Sequence, residues 1–243
     1  KLSSIADDAT QWKNLHHLLE LDLSGNLFSD WNFINIIFKH FSNLKKLSVG
    51  GNRIGDCDSD LQSHSSLEFI NLNDTNLTIK SLSYLGRALP KLTTLILSHN
   101  TLQGQFDFLA TTTTTTFFAR LESLDCCSCK VDDAAAFVQC LSNTKTLTCL
   151  KLDDNPDLNN LNCDIIIKGF LNNNLQHLQI ANTGLLSFPT LPKSLRSLRL
   201  QRMVNFTTSR IPTLAQYPHL TSLNGSIITP DQRRQAARYA MLN

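Results

Sequence analysis

The chain has 243 residues, 42% of them hydrophobic and 17% charged, enough for one large globular body with a substantial core. No run approaches eighteen apolar residues, which excludes a helical membrane span, and the opening KLSSIADDATQWKNL does not read as a signal peptide. Net charge is +2 but uneven: residues 186–243 carry eight Lys/Arg against one Asp/Glu, whereas 1–80 carry seven against ten, so the last quarter is a basic end that suits an acidic partner.

The elements follow one motif, L-x-x-L-x-L-x-x-N. LLELDLSGN ends at Asn26, and SDWNFINIIFKHF (29–41) then reads as a helix. Phe33, Ile34, Ile37, Phe38 and Phe41 share its apolar stripe, and Ser29 and Asp30 are candidate caps. LKKLSVGGN ends at Asn52 and LEFINLNDT at Thr75. TIKSLSYLGRALP (78–90) predicts a second helix from Thr78, with Leu82, Leu85 and Leu89 inward and Pro90 just past its end. LTTLILSHN ends at Asn100, and the Thr run 111–116 predicts a loop before LESLDCCSC, which ends at Cys129. VDDAAAFVQCLS (131–142) predicts a third helix, and LTCLKLDDN follows, ending at Asn155. LQHLQIANT ends at Thr183, and LLSFPTLPKS (185–194), with two prolines, predicts extended chain. LRSLRLQRM ends at Met203, and LTSLNGSII (220–228) keeps only the first two leucines.

Successive motifs are 26, 23, 25, 29, 26, 28, 20 and 25 residues apart, the spacing of leucine-rich repeats. The x-L-x centre predicts a short strand whose side chains alternate between faces, with Leu21 and Leu23 inward and Glu20 and Asp22 outward. One repeat has no core of its own, so each buries its leucines against the next. The expected fold is α/β: a right-handed solenoid with a concave parallel sheet and a helical or irregular convex side. The expected organisation is repeats over 1–222 and a cap over 223–243. In that cap, Thr229, Pro230 and Gln232 form a capping box, Ala236, Ala237, Tyr239, Ala240 and Met241 cover the last repeat, and Arg233, Arg234 and Arg238 stay at least half wet.

Three stretches also carry a resemblance. SLNGSIITPDQRRQAARYAML resembles the closing cap of the leucine-rich domain of tubulin-specific chaperone E (tubulin-folding cofactor E). LELDLSGNLFSDWNFINIIFKHFSNLKKLSVGGNRI (19–54) is similar to that family's early repeats, and SFPTLPKSLRSL (187–198) to a string in its fungal members. The closing helix here is more basic than the family's. The resemblance implies a scaffold that binds α-tubulin and works with other tubulin-folding cofactors and a small GTPase in assembling or dissociating the αβ heterodimer. It implies a cytoplasmic, cytoskeleton-associated protein whose family carries flanking CAP-Gly and ubiquitin-like domains that are not in this sequence. The alternative is a leucine-rich-repeat adaptor of a nucleoprotein or signalling complex.

Recognition is expected on the outward strand positions. The candidates are Glu20, Asp22, Lys46, Phe69, Asn71, Ile96, Asp125, Lys151 and Arg199, with His99 and Asp153 beside them; Phe69 and Ile96 are read as adjacent in register, an apolar anchor. Arg202, Arg233 and Arg234 represent the basic end. In CCSC, Cys126 and Cys129 replace core residues and Cys127 alone points outward, without a second paired-cysteine motif to complete a metal site. No histidine sits in a catalytic string, DDNPD (153–157) reads as a turn and VGGNRIG (49–55) as the second repeat's turn. Neither catalysis, a cofactor nor a metal is expected, nor nucleic acid or membrane as partner; the chain is expected to be a monomer.

Overall fold

In a computed structural model that describes residues 15–57, 61–102, 117–131, 137, 144–159, 164–166, 168, 174–187, 190–203 and 209–242, each motif supplies one strand. They are β1 (Glu20–Asp22), β2 (Lys46–Ser48), β3 (Phe69–Asn71), β4 (Thr94–Ile96), β5 (Ser123–Asp125), β6 (Cys149–Lys151), β7 (His177–Gln179), β8 (Ser197–Arg199) and β9 (Ser222–Leu223). They pair in parallel, each with the next in sequence. Registration is strict: Leu47, Ile70, Leu95, Leu124, Leu150, Leu178, Leu198 and Leu223 form one file across the sheet, all of them buried. Each such side chain contributes about 1.5–3 kcal/mol by leaving water, and a one-residue slip would turn its strand's leucine outward. Leu21 and Leu23, in the first strand's repeat, are partly buried and pack against the same core.

The helices match their apolar stripes. α1 (Asn32–His40) buries Phe33, Ile34, Ile37 and Phe38, with Phe41 buried just beyond it. Neither candidate cap holds the N-cap position, which is Trp31 and has no side-chain cap bond; Asp30 precedes it, and its Oδ1 accepts the Asn32 N–H at 2.9 Å. α2 (Ser81–Ala88) begins three residues after the expected Thr78. The reason is Asp56, in the turn of the preceding repeat. Its carboxylate accepts from the Thr78 N–H (2.7 Å), the Thr78 hydroxyl (2.8 Å) and the Ser81 hydroxyl (2.9 Å), which holds 78–80 as a lead-in. Leu82, Leu85 and Leu89 are buried as expected. Gly86 lets this helix approach Phe117; a Cβ there would stand 2.7 Å from the Phe117 Cβ. Of the third expected helix, only Val131 and Phe137 are described; both are buried and Phe137 is helical. The Thr run 111–116 and Pro189 lie outside the described residues. The described part of 185–194 contains no helix, as the prolines require.

The motif's final position explains the spacing of its asparagines. The Asn100 amide donates to the Leu72 and Leu97 carbonyls, each at 2.7 Å, and its Oδ1 accepts the Thr75 (3.1 Å) and Leu77 (2.9 Å) N–H groups. Asn155 repeats this on Cys126 O, Leu152 O, Cys129 N and Val131 N, and Asn52 on Leu23 O, Val49 O and Phe28 N. Each asparagine therefore satisfies its own turn and the one before. Thr75 and Cys129 stand in the turns already served by the next asparagine. This accounts for the alternation Asn52, Thr75, Asn100, Cys129, Asn155: a smaller side chain suffices in every second repeat.

The residue before that position is left-handed in eight successive turns: Gly25, Gly51, Asp74, His99, Ser128, Asp154, Asn182 and Arg202 all have φ between 51° and 69°. Only two are glycines, so six turns hold a side chain where most residues are strained.

The C-terminal end departs from the repeat. Asn224 (φ 53°) and Gly225 (φ 78°) form a two-residue turn into β10 (Ser226–Ile227), antiparallel to β9. Both positive angles are those of a type I′ hairpin, which Asn-Gly favours. α3 (Arg210–Gln216) lies between β8 and β9, and α4 (Pro230–Leu242) follows the hairpin. The capping box forms: the Gln232 N–H reaches Thr229 Oγ1 (3.3 Å) and the Thr229 N–H reaches Gln232 Oε1 (3.2 Å). The expected apolar underside does not. Only Ala236 is buried; Ala237, Tyr239, Ala240 and Met241 are exposed, because α4 lies against the short α3 rather than across the end of the sheet.

Candidate protein-binding site

The outward side chains form two files. One runs Glu20, Lys46, Phe69, Thr94, Ser123, Cys149, His177, Ser197; the other Asp22, Ser48, Asn71, Ile96, Asp125, Lys151, Gln179, Arg199. All are exposed or half-buried, so strand alternation places the expected residues on one surface. The apolar pair is a correction. Phe69 stands opposite Thr94 and Ile96 opposite Asn71, so the two are diagonal across different files, each with polar neighbours in its own. The two residues sit in neighbouring repeats but at different positions of the strand, which puts them on different files.

Charges on this surface are largely matched within the chain. Lys46 meets Glu20 at 2.6 Å, Lys151 meets Asp125 at 3.1 Å, and Arg199 meets Asp153 at 3.2 Å. The first pair is more than half exposed and adds little. Asp22, Asn71 and Asp125 also accept the backbone N–H two residues on, from Ser24, Asn73 and Cys127, an Asx turn where each strand ends. The Ser24 bonds hold the Asp22 carboxyl below its ordinary range. For Asp125, burial pushes the carboxyl up, but hydrogen bonds from Ser98 (2.5 Å), Cys127 and Lys151 more than offset it and leave it low. Burial in turn pulls Lys151 down, and Asp125 more than restores it.

Asp153 is also a correction. It was expected on the exposed surface, yet its side chain is only 5% exposed. One oxygen accepts the Ala181 N–H at 2.7 Å and the other meets Arg199, two strands along. Burial raises its carboxyl above the ordinary range despite those partners. His99 is exposed in its left-handed turn, and Arg202, in the equivalent turn, reaches Asp154 at 3.5 Å.

The basic end is also partly consumed. Arg210 donates to the carbonyls of Leu223 (3.0 Å) and Ile227 (3.2 Å) and to Gln232 Oε1 (3.2 Å), tying the hairpin to α4. Arg234 pairs with Asp231 one turn away. Arg233 is half-buried, and burial lowers its pKa. The remaining cations, among them Arg196 and Lys193, are exposed.

Where the sheet approaches the hairpin, the surface deepens into a groove of about 390 Å³ lined by Cys149, His177, Leu178, Gln179, Ser197, Arg199, Gln201, Asn224 and Gly225. Gln201, Asn224 and Gly225 were not among the expected site residues. The Asn-Gly dipeptide was the available signal for the last two, since a hairpin there folds its turn over the edge of the face.

Cys126 and Cys129 are buried and Cys127 half-buried, the placement expected of them. Burial and the neighbouring Asp125 push the Cys127 thiol up, opposite to the activation a nucleophilic thiol needs. Among the described residues no group of three or more His, Cys, Asp or Glu side chains could hold a metal, and no helix is long and apolar enough to cross a membrane.

No protein-family model matches the chain. It is 27% identical over 232 residues to the Tubulin-specific chaperone cofactor E-like protein of Caenorhabditis elegans, a match covering 92% of this chain and 52% of that one. The resemblance read from the sequence is thus found again along nearly the whole chain, which spans about half the length of that curated relative. Among solved structures it is similar to an internalin of Listeria monocytogenes (TM-score 0.56, 16% identity, 93% of this chain and 66% of that one). It is similar as well to a chain of the TLR13–ssRNA13 complex (0.57, 19%, 89% and 33%) and one of the mouse RP105/MD-1 complex (0.58, 21%, 89% and 40%). These likenesses are of fold, and that fold is the leucine-rich-repeat solenoid.

Proposed function

We propose that this chain is the interaction scaffold of a tubulin-folding cofactor, closed by residues 223–243, which binds α-tubulin and helps assemble or dissociate the αβ heterodimer. The observation that carries this reading is the likeness to the tubulin-specific chaperone cofactor E-like protein over 92% of the chain. The two files of outward side chains support it, because a broad curved surface holds a folded client by complementarity and needs no bond chemistry. Phe69 and Ile96 supply the apolar contacts of the middle of the face, ringed by Lys46, Asn71, Thr94 and Asp125. His99, Lys151, Arg199 and Arg202 extend it toward the basic end, where Arg233 and Arg234 stand beyond the hairpin. A grip that favours the separated subunit over the heterodimer shifts that equilibrium by its differential affinity alone. Other tubulin cofactors and a small GTPase are the expected further partners, in the cytoplasm.

The test is capture of purified αβ-tubulin by the chain, with Phe69→Ser/Ile96→Ser alongside. Binding that weakens about tenfold in the double variant, with circular dichroism unchanged, supports the reading. A folded chain that captures no tubulin overturns it, and capture of RNA in its place favours the nucleoprotein adaptor.

A further inference from the structure

We propose that the groove over β6–β9 is a docking site for an extended acidic peptide segment, one of whose carboxylates Arg199 takes. The inference rests on the scaffold reading and specifies the chemistry of what lies at one end of that face.

No carboxylate is among the groove's lining residues. The polar groups that do line it are the Arg199 guanidinium, the His177 imidazole, the Ser197 hydroxyl and the amides of Gln179, Gln201 and Asn224. Amides both donate and accept, so Gln179 and Gln201 can pair with the N–H and C=O groups of an extended backbone. The groove's volume is about 390 Å³.

Arg199 is held ready rather than used up. Its Nη1 meets Asp153 Oδ2 at 3.2 Å, and Asp153 is itself fixed by the Ala181 N–H. The guanidinium side chain is nevertheless 43% exposed. A planar fork of five N–H donors anchored at one corner presents the others in a fixed plane, the geometry a carboxylate accepts.

The surrounding charge selects the same ligand. The exposed cations Lys193, Arg196 and Arg202, the last of them within 3.5 Å of Asp154, lie in the segment that carries eight Lys/Arg against one Asp/Glu. At the opposite end of the sheet Glu20 and Asp22 are exposed, and Lys46 pairs with Glu20. An acidic segment is therefore drawn toward β8 and repelled from β1, which also fixes where it lies along the face. A single-stranded nucleic acid would be drawn by the same charge, but the lining offers no Phe, Tyr or Trp on which bases stack.

Fluorescence anisotropy with labelled hexaglutamate, hexaglutamine, hexalysine and hexauridylate tests this. Expected is hexaglutamate binding at least tenfold tighter than the other three, a loss of about tenfold in Arg199→Gln, and no change in the exposed control Lys91→Gln. Because Arg199→Gln strips Asp153 of its partner, Gln201→Glu serves as the second variant. It adds a carboxylate to the lining, leaves the Arg199–Asp153 pair intact, and is expected to weaken hexaglutamate comparably. Equal binding of hexaglutamate and hexaglutamine, tighter binding of hexauridylate, or indifference of hexaglutamate to both variants overturns the proposal. A chain that captures tubulin but ignores hexaglutamate loses the groove and keeps the scaffold reading. One that holds hexaglutamate but no tubulin does the reverse.

Discussion

Between β2 and β6 every second repeat carries a buried asparagine that ties two turns together, whereas after β8 the same position is Met203 and a side chain from outside the motif, Arg210, binds the carbonyls of the next segment. The two regions meet the same requirement, satisfying backbone groups where a strand ends. The middle meets it with a short side chain that repeats, and the end with a long one that occurs once. Repetition confines each bond to neighbouring repeats, so the middle is uniform and can be extended. The end must stop the pairing, and it does so by reversing the last strand through Asn224-Gly225.

The largest expected effect comes from breaking the middle. Asn155→Ala leaves two carbonyls and two N–H groups without their partner, in two adjacent turns; Asn100→Ala does so for two N–H groups and the Leu97 carbonyl, while the Leu72 carbonyl keeps the Thr75 hydroxyl at 2.7 Å. We expect a loss of roughly 3 kcal/mol or more for each, read from urea unfolding. Thr75→Ala, which removes a 2.7 Å bond from the Thr75 hydroxyl to a Leu72 carbonyl that Asn100 still serves, should cost about 1 kcal/mol. Equal losses would mean that the alternation has no energetic basis.

Breaking the end should cost less and act locally. Arg210→Met keeps the aliphatic stem and removes the guanidinium bonds, for about 1–2 kcal/mol. Hydrogen exchange should show the Asn224 and Ile228 amides losing protection while those of β3–β6 keep theirs. A further substitution sharpens the contrast on the convex side. Asp56→Ala removes the acceptor for Thr78 and Ser81 and should cost about 1 kcal/mol, the usual effect of losing a helix cap. Its effect should fall on α2 and leave the hairpin's exchange unchanged.

These contrasts also mark what was legible in the sequence. The leucine spacing defines the strands, their order and the outward files, because burial on one face permits one register. The stripes of α1 and α2 are legible for the same reason. The start of α2 is not, since the residues before it are held by Asp56, 22 residues earlier than Thr78. Asp153 misleads because it opens an acidic string, DDNPD, that reads as a solvated turn, while its partners Ala181 and Arg199 belong to later repeats. The underside of α4 misleads because helical spacing shows which side chains share a face but not whether a surface lies beneath them. Of the groove's amides, Asn224 is a product of the hairpin turn, written in Asn224-Gly225 but visible only once the turn is folded back.

The smallest effect concerns two carboxylates at the ends of adjacent strands. Asp125 gathers Ser98, Cys127 and Lys151, and these outweigh its burial, so it is held below the ordinary value of 3.8; Asp153 is dominated by burial and lies above the same value. The signs are opposite. A depressed carboxyl adds stability that is present above the unfolded pKa and is lost as pH falls through the folded one. A raised carboxyl takes up its proton in the folded state first, so acidification favours folding through that group and partly cancels the loss from Asp125. Carboxyl carbon NMR should therefore find the two residues titrating on opposite sides of 3.8. In unfolding at about pH 6 and about pH 3, Asp125→Asn should narrow the difference in stability and Asp153→Asn should widen it. If both substitutions move the difference the same way, the two acids share one environment, and Arg199 is paired with an ordinary surface carboxylate rather than held by a buried one.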